Sequence, residues 1–307
     1  MVPQILIVTS SFALTCAYII SKFKHRADFY RFNVDFFYEY DISIENFSTT
    51  ISSEHWCVKL DEIDSIYYRK ISFPDFDGIL DKKYHYFIYR EIFAVVEGVI
   101  EIFEGVCLSK PSILRKADNK IYQLKVAQEN GFEIPVLNIG NSGSSIQKFN
   151  EKYQSIVKPI AYGKVYNGKK TAVVQTNVVN KNIVFDTLKY CPSYFQEFVE
   201  KDVDVRVTIV GDKLFPVKIF SSNKVDWRKD YKSLRYELFV LPNELKEKCL
   251  CLMEALNLKF GAIDFVVKDD VYYFLEINAN GQWAWLENEL NLPISNEIIK
   301  ILSSKKL

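Results

Sequence analysis

Two apolar stretches near the C-terminus, AIDFVV and VYYFLEIN, are typical of buried β-strands, yet each carries a carboxylate in its middle. Side chains alternate between the two faces of a strand, so Glu276 and Asn278 share one face. A three-residue loop at 269–271 would set Asp264 directly opposite Glu276. We therefore expect one face of this hairpin to carry three oxygen-bearing side chains.

Like charges that face each other across a strand pair destabilise the pair, and burying one of them without a partner costs more. The pattern therefore favours a cation between Asp264 and Glu276. Because the ligands are hard oxygen atoms, without His or Cys, the favoured ion is Mg²⁺. The alternative is an ordinary solvated hairpin, since polar and apolar residues also alternate along half-exposed strands.

The composition is that of a globular protein. A chain of 307 residues can bury a large core in two or three lobes, and 49% hydrophobic with 25% charged residues is neither disordered nor membrane-like. Lys plus Arg and Asp plus Glu both number 39, so no bulk attraction to nucleic acid or anionic lipid is expected. The six cysteines form no CxxC pair and no Cys/His cluster, which predicts reduced thiols in the cytoplasm without a zinc site or disulfides.

The first 21 residues contain no charge and need to be weighed as a membrane segment. A signal peptide would begin with basic residues, and none is present. A membrane span needs about 20 mostly apolar residues, whereas a Thr-Ser-Ser stretch at 9–11 interrupts this one. We expect a strand at 4–8 and a helix at about 12–23, the opening of an α/β lobe, and no membrane partner.

The element pattern divides the chain into three lobes. Short β runs alternate with helical stretches over residues 1–110, which predicts an N-terminal α/β lobe. A polar stretch around Pro111 marks a boundary, and a meander of short strands around a glycine loop follows in a central lobe, 111–191. The C-terminal lobe, 192–307, contains the strands FQEFV, VDVRVTIV and KLFPVKIF before the acidic hairpin.

Three helices are expected in the second and third lobes. The first spans 118–130, with Asp118 as its N-cap and Gly131 as its C-terminal stop. The other two span 243–257 and about 294–303, on either side of the acidic hairpin.

Two lysines stand where a phosphate could bind. Lys158 ends an apolar strand just before AYGKVYNGKK, in which Gly163 and Gly168 free the backbone to fold closely over a ligand. No Walker-type GxxxxGK[ST] motif is present, and a solvated hairpin is the alternative. Lys120 lies at the start of a helix, where a positive charge opposes the helix dipole, and this mildly favours a functional role. Surface lysines are common, so the position alone does not establish that role.

Two further segments combine cations with other functional groups. In VDVRVTIVG, Asp204 and Arg206 share one strand face, for which a surface ion pair is the simpler interpretation. The loop VDWRKD sets Trp227 beside Arg228, with Lys218 on the strand before it. Arginine can bind a carboxylate or phosphate through two parallel hydrogen bonds. Together these parts suit a nucleoside triphosphate with Mg²⁺ and a transferring phosphoryl group.

The order of these motifs resembles the ATP-grasp superfamily, and VDWR combined with LEINANGQW resembles its peptide maturases, which build graspetides of the microviridin kind. The resemblance runs from YYRK to the C-terminal helix through NKIYQLKVAQENGFEIP, IVKP, QEFVEKDVDVRVTIVGDKLF and LPISNEIIKIL. It implies an α/β (α+β lobes) ATP-grasp fold with an N-terminal pre-ATP-grasp lobe, a central lobe and a C-terminal lobe. The family often reads WYRR and EINPNGQW where this chain has YYRK and EINANGQW.

The resemblance also implies roles for matching residues. The phosphate contacts would be Lys120 and Lys158. The hinge that meets adenine would be Gln196, Glu197, Phe198 and Val199. The ribose position would be Asp204, with Glu200 and Asp202 near enough to compete. The metal ligands would be Asp264, Glu276 and Asn278. The cations around the γ-phosphate and the acidic substrate would be Arg206, Lys218 and Arg228. Ala262 stands where D-alanine ligases have Arg, so Arg206 or Arg228 must supply that charge.

The implied activity is ATP-dependent cyclisation of a ribosomally made precursor peptide with a leader and an acidic core. Asp or Glu side chains would become acyl-phosphates and join Ser or Thr hydroxyls or Lys amines as esters or amides, with ATP and Mg²⁺ required. A homodimer is the family's expectation. One alternative is a ligase that adds a free amino acid to a peptide or protein. Another is a non-catalytic nucleotide-binding protein, which the complete set of metal ligands argues against.

Overall fold

A computed structural model describes residues 2–161, 163–166, 171–180, 183, 185–229 and 233–304. The first lobe contains, in chain order, β1 (Gln4–Thr9), α1 (Leu14–Phe23), β2 (Asp28–Asn33), β3 (Asp41–Glu45), β4 (Ser48–Ser52), β5 (Cys57–Lys59), β6 (Ser65–Tyr68), α2 (Lys82–Ile102) and β7 (Val106–Cys107). Four of these strands form a parallel sheet in the order β2-β1-β6-β7, and β3, β4 and β5 form a small antiparallel sheet. The apolar run of β1 is buried on both faces, as central parallel strands are.

The second part of the chain contains α3 (Pro111–Ala117), α4 (Lys120–Glu129), β8 (Leu137–Gly140), α5 (Gly143–Lys152), β9 (Ser155–Lys158), β10 (Lys164–Tyr166), β11 (Thr171–Val173), β12 (Asn177–Val178) and β13 (Ser193–Glu197). An antiparallel sheet has the order β12-β9-β13-β8, and β10 pairs with β11. The sequence assigns β13 to the C-terminal lobe that begins at 192. In the structure β13 pairs with β8 and β9, so it lies in the central sheet.

The last part contains β14 (Val203–Val210), β15 (Lys213–Phe220), β16 (Arg235–Leu238), α6 (Asn243–Ala255), β17 (Phe260–Lys268), β18 (Val271–Asn278), α7 (Ala284–Leu290) and α8 (Ile294–Leu302). Its five strands form an antiparallel sheet in the order β16-β15-β14-β17-β18. The strands VDVRVTIV and KLFPVKIF have the predicted bounds, and the helices predicted at 243–257 and 294–303 are α6 and α8.

The start of α4 differs from its prediction by one residue at the cap. The Asn119 side chain accepts a hydrogen bond from the Tyr122 amide at 3.1 Å, so Asn119 is the N-cap. Asp118 instead ends α3, where its amide donates to the Leu114 carbonyl. Gly131 has a φ of +75°, which is the left-handed conformation expected just after a helix.

The hydrophobic cores join the first and last lobes. Leu6 and Val8 on one face of β1 belong to the same buried cluster as Val205, and Ile7 on its other face clusters with Trp283. A separate small core, formed by Ile146, Phe149, Val179, Leu188 and Phe195, lies in the central part. The central sheet also contributes to the larger cluster, because Tyr194 of β13 belongs to the same cluster as Val205. Among the described helices, none is long and apolar enough to cross a membrane.

Candidate active site

The turn of the acidic hairpin is shorter than the sequence predicts. Lys268 pairs with Val271, which leaves only Asp269 and Asp270 in the turn. Their φ angles of 49° and 61° are the left-handed values of a two-residue hairpin turn. The expected three-residue loop at 269–271 is therefore wrong.

A β-bulge compensates for the shorter turn. Phe265 pairs with Phe274, whereas Asp264 pairs with Glu276, so Leu275 is an extra residue on β18. The predicted pairing of Asp264 with Glu276 is confirmed.

Two arginines meet the Asp264 carboxylate. Arg206 lies beside it on β14, and Arg206 Nη1 donates to Asp264 Oδ1 at 2.9 Å and to Oδ2 at 3.1 Å. Arg228 Nη2 donates to Oδ2 at 3.0 Å from the loop after β15. The Asp264 and Arg206 side chains are only 8% and 6% exposed, but that of Arg228 is 41% exposed. Arg228 is thus the cation of this pair that can reach a bound molecule.

Glu276 lies among cations from three segments. Lys120 Nζ is 3.1 Å from its Oε2, and Arg228 Nη2 is 3.8 Å from its Oε1. Burial alone would raise the pKa of Glu276, but the charges of Lys120, Lys158 and Arg228 lower it to about 2. Four cations therefore surround the two carboxylates, an excess of positive charge that suits a polyphosphate.

Asn278 completes the group of oxygen-bearing side chains. Its amide nitrogen donates to Asp264 Oδ2 at 3.0 Å and to Glu276 Oε1 at 3.2 Å. A half-turn of this amide would present its oxygen to the same centre. Two carboxylates and one amide in direct contact with each other provide hard oxygen ligands that fit Mg²⁺. Across the part of the chain that the structure describes, no three His, Cys, Asp or Glu side chains form a metal-ligating group.

A cavity of about 290 Å³ lies against this cluster, between the central and C-terminal sheets. Lys120 and Lys158 line it from one side, and Asp264 and Glu276 line it from the other. The Lys158 ammonium lies 4.5 Å from the centre of the Tyr194 ring. Desolvation lowers the pKa of Lys158 to about 8, against the opposing charge of Glu276. The structure thus brings both predicted lysines to the acidic hairpin.

Asp204 also lines this cavity, and a buried lysine pairs with it. Lys201 Nζ lies 2.6 Å from Asp204 Oδ2, and both side chains are almost fully buried. Burial raises the pKa of Asp204 to about 6, although the Lys201 charge opposes the shift. Of its two competitors for a ribose, Glu200 is exposed and Asp202 accepts a hydrogen bond from the Asp269 amide.

The predicted adenine hinge follows the edge of the same cleft. Gln196 and Glu197 end β13, and Gln196 pairs with Ile156, which lines the cavity. Two amides of the segment are already bonded: Glu197 N–H donates to the Val136 carbonyl, and Phe198 N–H to the Gln154 carbonyl. Gln196 is thus the strand partner of a residue in the cavity wall, and the adenine contacts of Gln196, Glu197, Phe198 and Val199 stay a prediction.

Lys218 lies outside the cluster, contrary to the prediction. It pairs across the sheet with Val205, whereas Arg206 pairs with Asp264. Cross-strand partners share a face, so Lys218 points to the opposite face of the sheet from Arg206. Its ammonium lies 5.1 Å from the centre of the Phe239 ring.

The glycine loop is described only in part. Gly163 accepts a hydrogen bond from the Val174 amide at 2.8 Å, and a Cβ at Gly163 would approach the Val174 carbonyl oxygen to 3.3 Å. Gly168 lies outside the described residues.

One residue of the site was missed by the sequence reasoning. Arg69, only 1% exposed, follows β6 and reaches the loop after β18. Its guanidinium donates to Asn280 Oδ1, to the Gly281 carbonyl and to Gln282 Oε1, each at 2.9 Å. The sequence signal that could have identified Arg69 is a cation directly after a buried strand.

Two family descriptions match this chain. Residues 4–115 match the MvdD pre-ATP grasp domain, and residues 117–302 match the RimK-like ATP-grasp domain. Among sequence relatives, the alpha-aminoadipate–LysW ligase LysX of Sulfurisphaera tokodaii is 24% identical over 210 residues, which cover 65% of this chain and 73% of that protein.

Two solved structures are similar over almost the whole chain. A RiPP-associated ATP-grasp ligase from Chryseobacterium gregarium, in complex with ADP and a leader and core peptide, is 30% identical with a TM-score of 0.88, covering 98% of this chain and 96% of that one. The macrocyclase MdnC from Microcystis aeruginosa, bound with the precursor peptide MdnA, is 27% identical with a TM-score of 0.88, covering 97% and 99%.

Proposed function

Because this chain belongs to the RimK-like ATP-grasp family and carries an MvdD pre-ATP grasp domain, we propose that it is an ATP-dependent ligase that closes rings in a ribosomally made precursor peptide. The observation that carries the proposal is the similarity to two peptide-modifying ATP-grasp ligases along almost the entire chain, including the first lobe. The cluster of cations and carboxylates beside the cleft supports it independently.

In the proposed reaction, an Asp or Glu side chain of the peptide attacks the γ-phosphate of ATP, and ADP leaves. A Ser or Thr hydroxyl, or a Lys amine, of the same peptide then attacks the acyl-phosphate carbonyl, and inorganic phosphate leaves. The product is an ester or an amide ring. The chain needs no nucleophile of its own, because its residues position the reactants and stabilise charge.

Each residue of the cluster has a place in this scheme. Lys120 and Lys158 bind the ATP phosphates from the central side of the cleft. Arg228, the more exposed arginine, holds the substrate carboxylate and then the acyl-phosphate. Arg206 is buried and already bonded to Asp264, so it acts as a positioning residue for that carboxylate.

The remaining contacts concern the metal and the nucleoside. Asp264, Glu276 and Asn278 would hold Mg²⁺, which supplies charge neutralisation for the phosphates when bound. Asp204 would accept hydrogen bonds from the ribose, and the segment Gln196, Glu197, Phe198 and Val199 would meet adenine through backbone groups. The proposal includes a precursor with a leader and an acidic core, a cytoplasmic location and a homodimer. Light scattering would measure the mass of the protein in solution and so test the homodimer.

Mass spectrometry tests this function. The protein is incubated with ATP, Mg²⁺ and a candidate acidic precursor, with Glu276→Gln as the control. Loss of one water mass per ring in the wild type, and no loss in the variant, is expected. ATP consumption without any change in peptide mass would contradict cyclisation.

A second candidate is a ligase that adds a free amino acid to a peptide or protein. The similarity to LysX, whose name describes such a ligase, favours it. The same spectra separate the two functions, because ligation adds a residue mass whereas cyclisation removes water.

A further inference from the structure

A second cavity, of about 930 Å³, lies between the first lobe and the end of β18. We call it the α2 groove, and the residues that line it include Tyr68, Ile71, Arg90, Phe93, Leu114 and Asn278. Arg90 and Phe93 lie one turn apart on the same face of α2. Apolar and aromatic residues make up about half of the lining, and charged or amide residues make up the rest.

The groove is continuous with the proposed reaction centre. Asn278 belongs both to the groove and to the oxygen-bearing group with Asp264 and Glu276. The nucleotide cleft approaches the same group from the side of Lys120 and Lys158. A molecule in the α2 groove would therefore reach the centre from the first lobe while ATP occupies the other side.

The size of the groove argues for a peptide. Small-molecule sites enclose about 300–1,000 Å³, and this groove lies near the upper end of that range. A free amino acid would leave most of it empty, whereas an extended segment of several residues would fill it and cover the aromatic wall.

The charged residues that line the groove differ in their contacts. Arg115 forms an ion pair with Glu97 across α3 and α2. Burial and the charge of Glu276 raise the pKa of Asp118, and the charge of Lys70 opposes that rise. Arg90 is exposed and makes no ion pair or side-chain hydrogen bond with any residue that the structure describes.

We propose that the α2 groove binds the segment of the peptide substrate next to its reacting side chain, and that Arg90 holds a second, non-reacting carboxylate of that segment. The guanidinium presents paired donors that match a carboxylate. Arg90 is thereby a specificity-determining residue that selects acidic peptides. The proposal rests on the proposed function and identifies the part of the chain that recognises the substrate sequence.

Peptide binding tests this assignment directly. The probes are a fluorescein-labelled twelve-residue synthetic peptide containing Glu, Thr and Lys, and the same peptide with Gln for every Glu. Binding is followed by anisotropy with the full chain, Mg²⁺ and a non-hydrolysable ATP analogue. The variants are Arg90→Ala and Arg90→Glu, with Arg26→Ala as the control, because Arg26 is an exposed arginine that does not line the groove.

The wild type and Arg26→Ala are expected to prefer the Glu peptide, and Arg90→Ala to weaken its binding by about 5- to 10-fold with little effect on the Gln peptide. Arg90→Glu should weaken it further. Equal affinity of the wild type for the two peptides, or an unchanged preference in Arg90→Ala, would overturn the proposal.

Ring formation in parallel samples separates this proposal from the proposed function. If Arg90 sets the preference but no ring closes with any acidic precursor, the groove assignment stands and cyclisation fails. If rings close and Arg90→Ala discriminates like the wild type, cyclisation stands and the groove assignment fails.

Discussion

Arg69 Nη2 donates a hydrogen bond to Gln282 Oε1 at 2.9 Å, and this contact ties the first lobe to the loop that follows β18. The same guanidinium bonds to Asn280 and to the Gly281 carbonyl, and the Gln282 carbonyl accepts a hydrogen bond from Arg206. Since Arg206 bonds to Asp264, a chain of direct contacts leads from the first lobe to the proposed reaction centre. The pre-ATP-grasp lobe is thus part of the site's framework.

Arg69→Lys should lower kcat by about 10- to 100-fold and leave the KM for ATP nearly unchanged, because a single ammonium nitrogen cannot reach all the acceptors that the two terminal nitrogens of the planar guanidinium reach, and a small shift of the loop misplaces the reactants. Steady-state kinetics measure both constants. Arg31→Lys is the matched control, since Arg31 bonds to the Ser10 and Ser11 carbonyls within its own lobe. An equal loss in both variants would show that Arg69 has no special role.

Asp264→Asn should lower the free energy of unfolding by about 3 kcal/mol or more, because it leaves the buried Arg206 without a countercharge. Urea denaturation measures the change. Replacing both partners, Asp264→Leu with Arg206→Met, should recover much of the loss, as removing a whole buried ion pair often does. A single variant within about 1 kcal/mol of the wild type would mean that Arg206 finds another acceptor.

ATP affinity should fall as the pH rises from about 7 to about 9, because Lys158 has its pKa lowered to about 8 and binds phosphate only in its protonated form. The charge is present below this pKa and lost above it, so the loss occurs in that window. Lys158→Arg should flatten the dependence, since arginine stays charged. Titration with a fluorescent ATP analogue would measure it, and the same slope in Lys158→Arg would exclude Lys158 as its source.

Lys218→Met should change kcat by less than about 2-fold, because Lys218 lies on the opposite sheet face from Asp264. Arg228→Met, in contrast, removes the half-exposed arginine at Asp264 and should lower kcat by about 100-fold or more. Kinetics of the two variants in parallel provide the comparison. A large loss of kcat in Lys218→Met would show that Lys218 does belong to the site.

The position of Lys218 illustrates what sequence reasoning lacks. Alternation along β14 places Asp204 and Arg206 on one face, and alternation along β15 is equally clear, but neither pattern sets the register between the strands. The tight turn at Gly211, whose φ is +58°, sets that register in the structure. A shift of one residue would have turned Lys218 toward Arg206.

The hairpin and Arg69 show two other limits. The pairing of Asp264 with Glu276 could be predicted because alternating carboxylates within apolar strands are a strong local signal. The shorter turn and the bulge at Leu275 offset each other, so the pairing holds although the predicted loop is wrong. Arg69 was missed because its partner Asn280 is 211 positions away along the chain, which no local pattern can show.

Transfer of oxygen from the peptide to phosphate tests the central claim most directly. The side-chain carboxylates of a precursor are labelled with ¹⁸O, the protein is supplied with ATP and Mg²⁺, and the released inorganic phosphate is analysed by mass spectrometry. Activation as an acyl-phosphate predicts one labelled oxygen in phosphate for each ring that closes, and none with Glu276→Gln. Ring closure that releases only unlabelled phosphate would contradict the account, because the carboxylate would then never have attacked ATP.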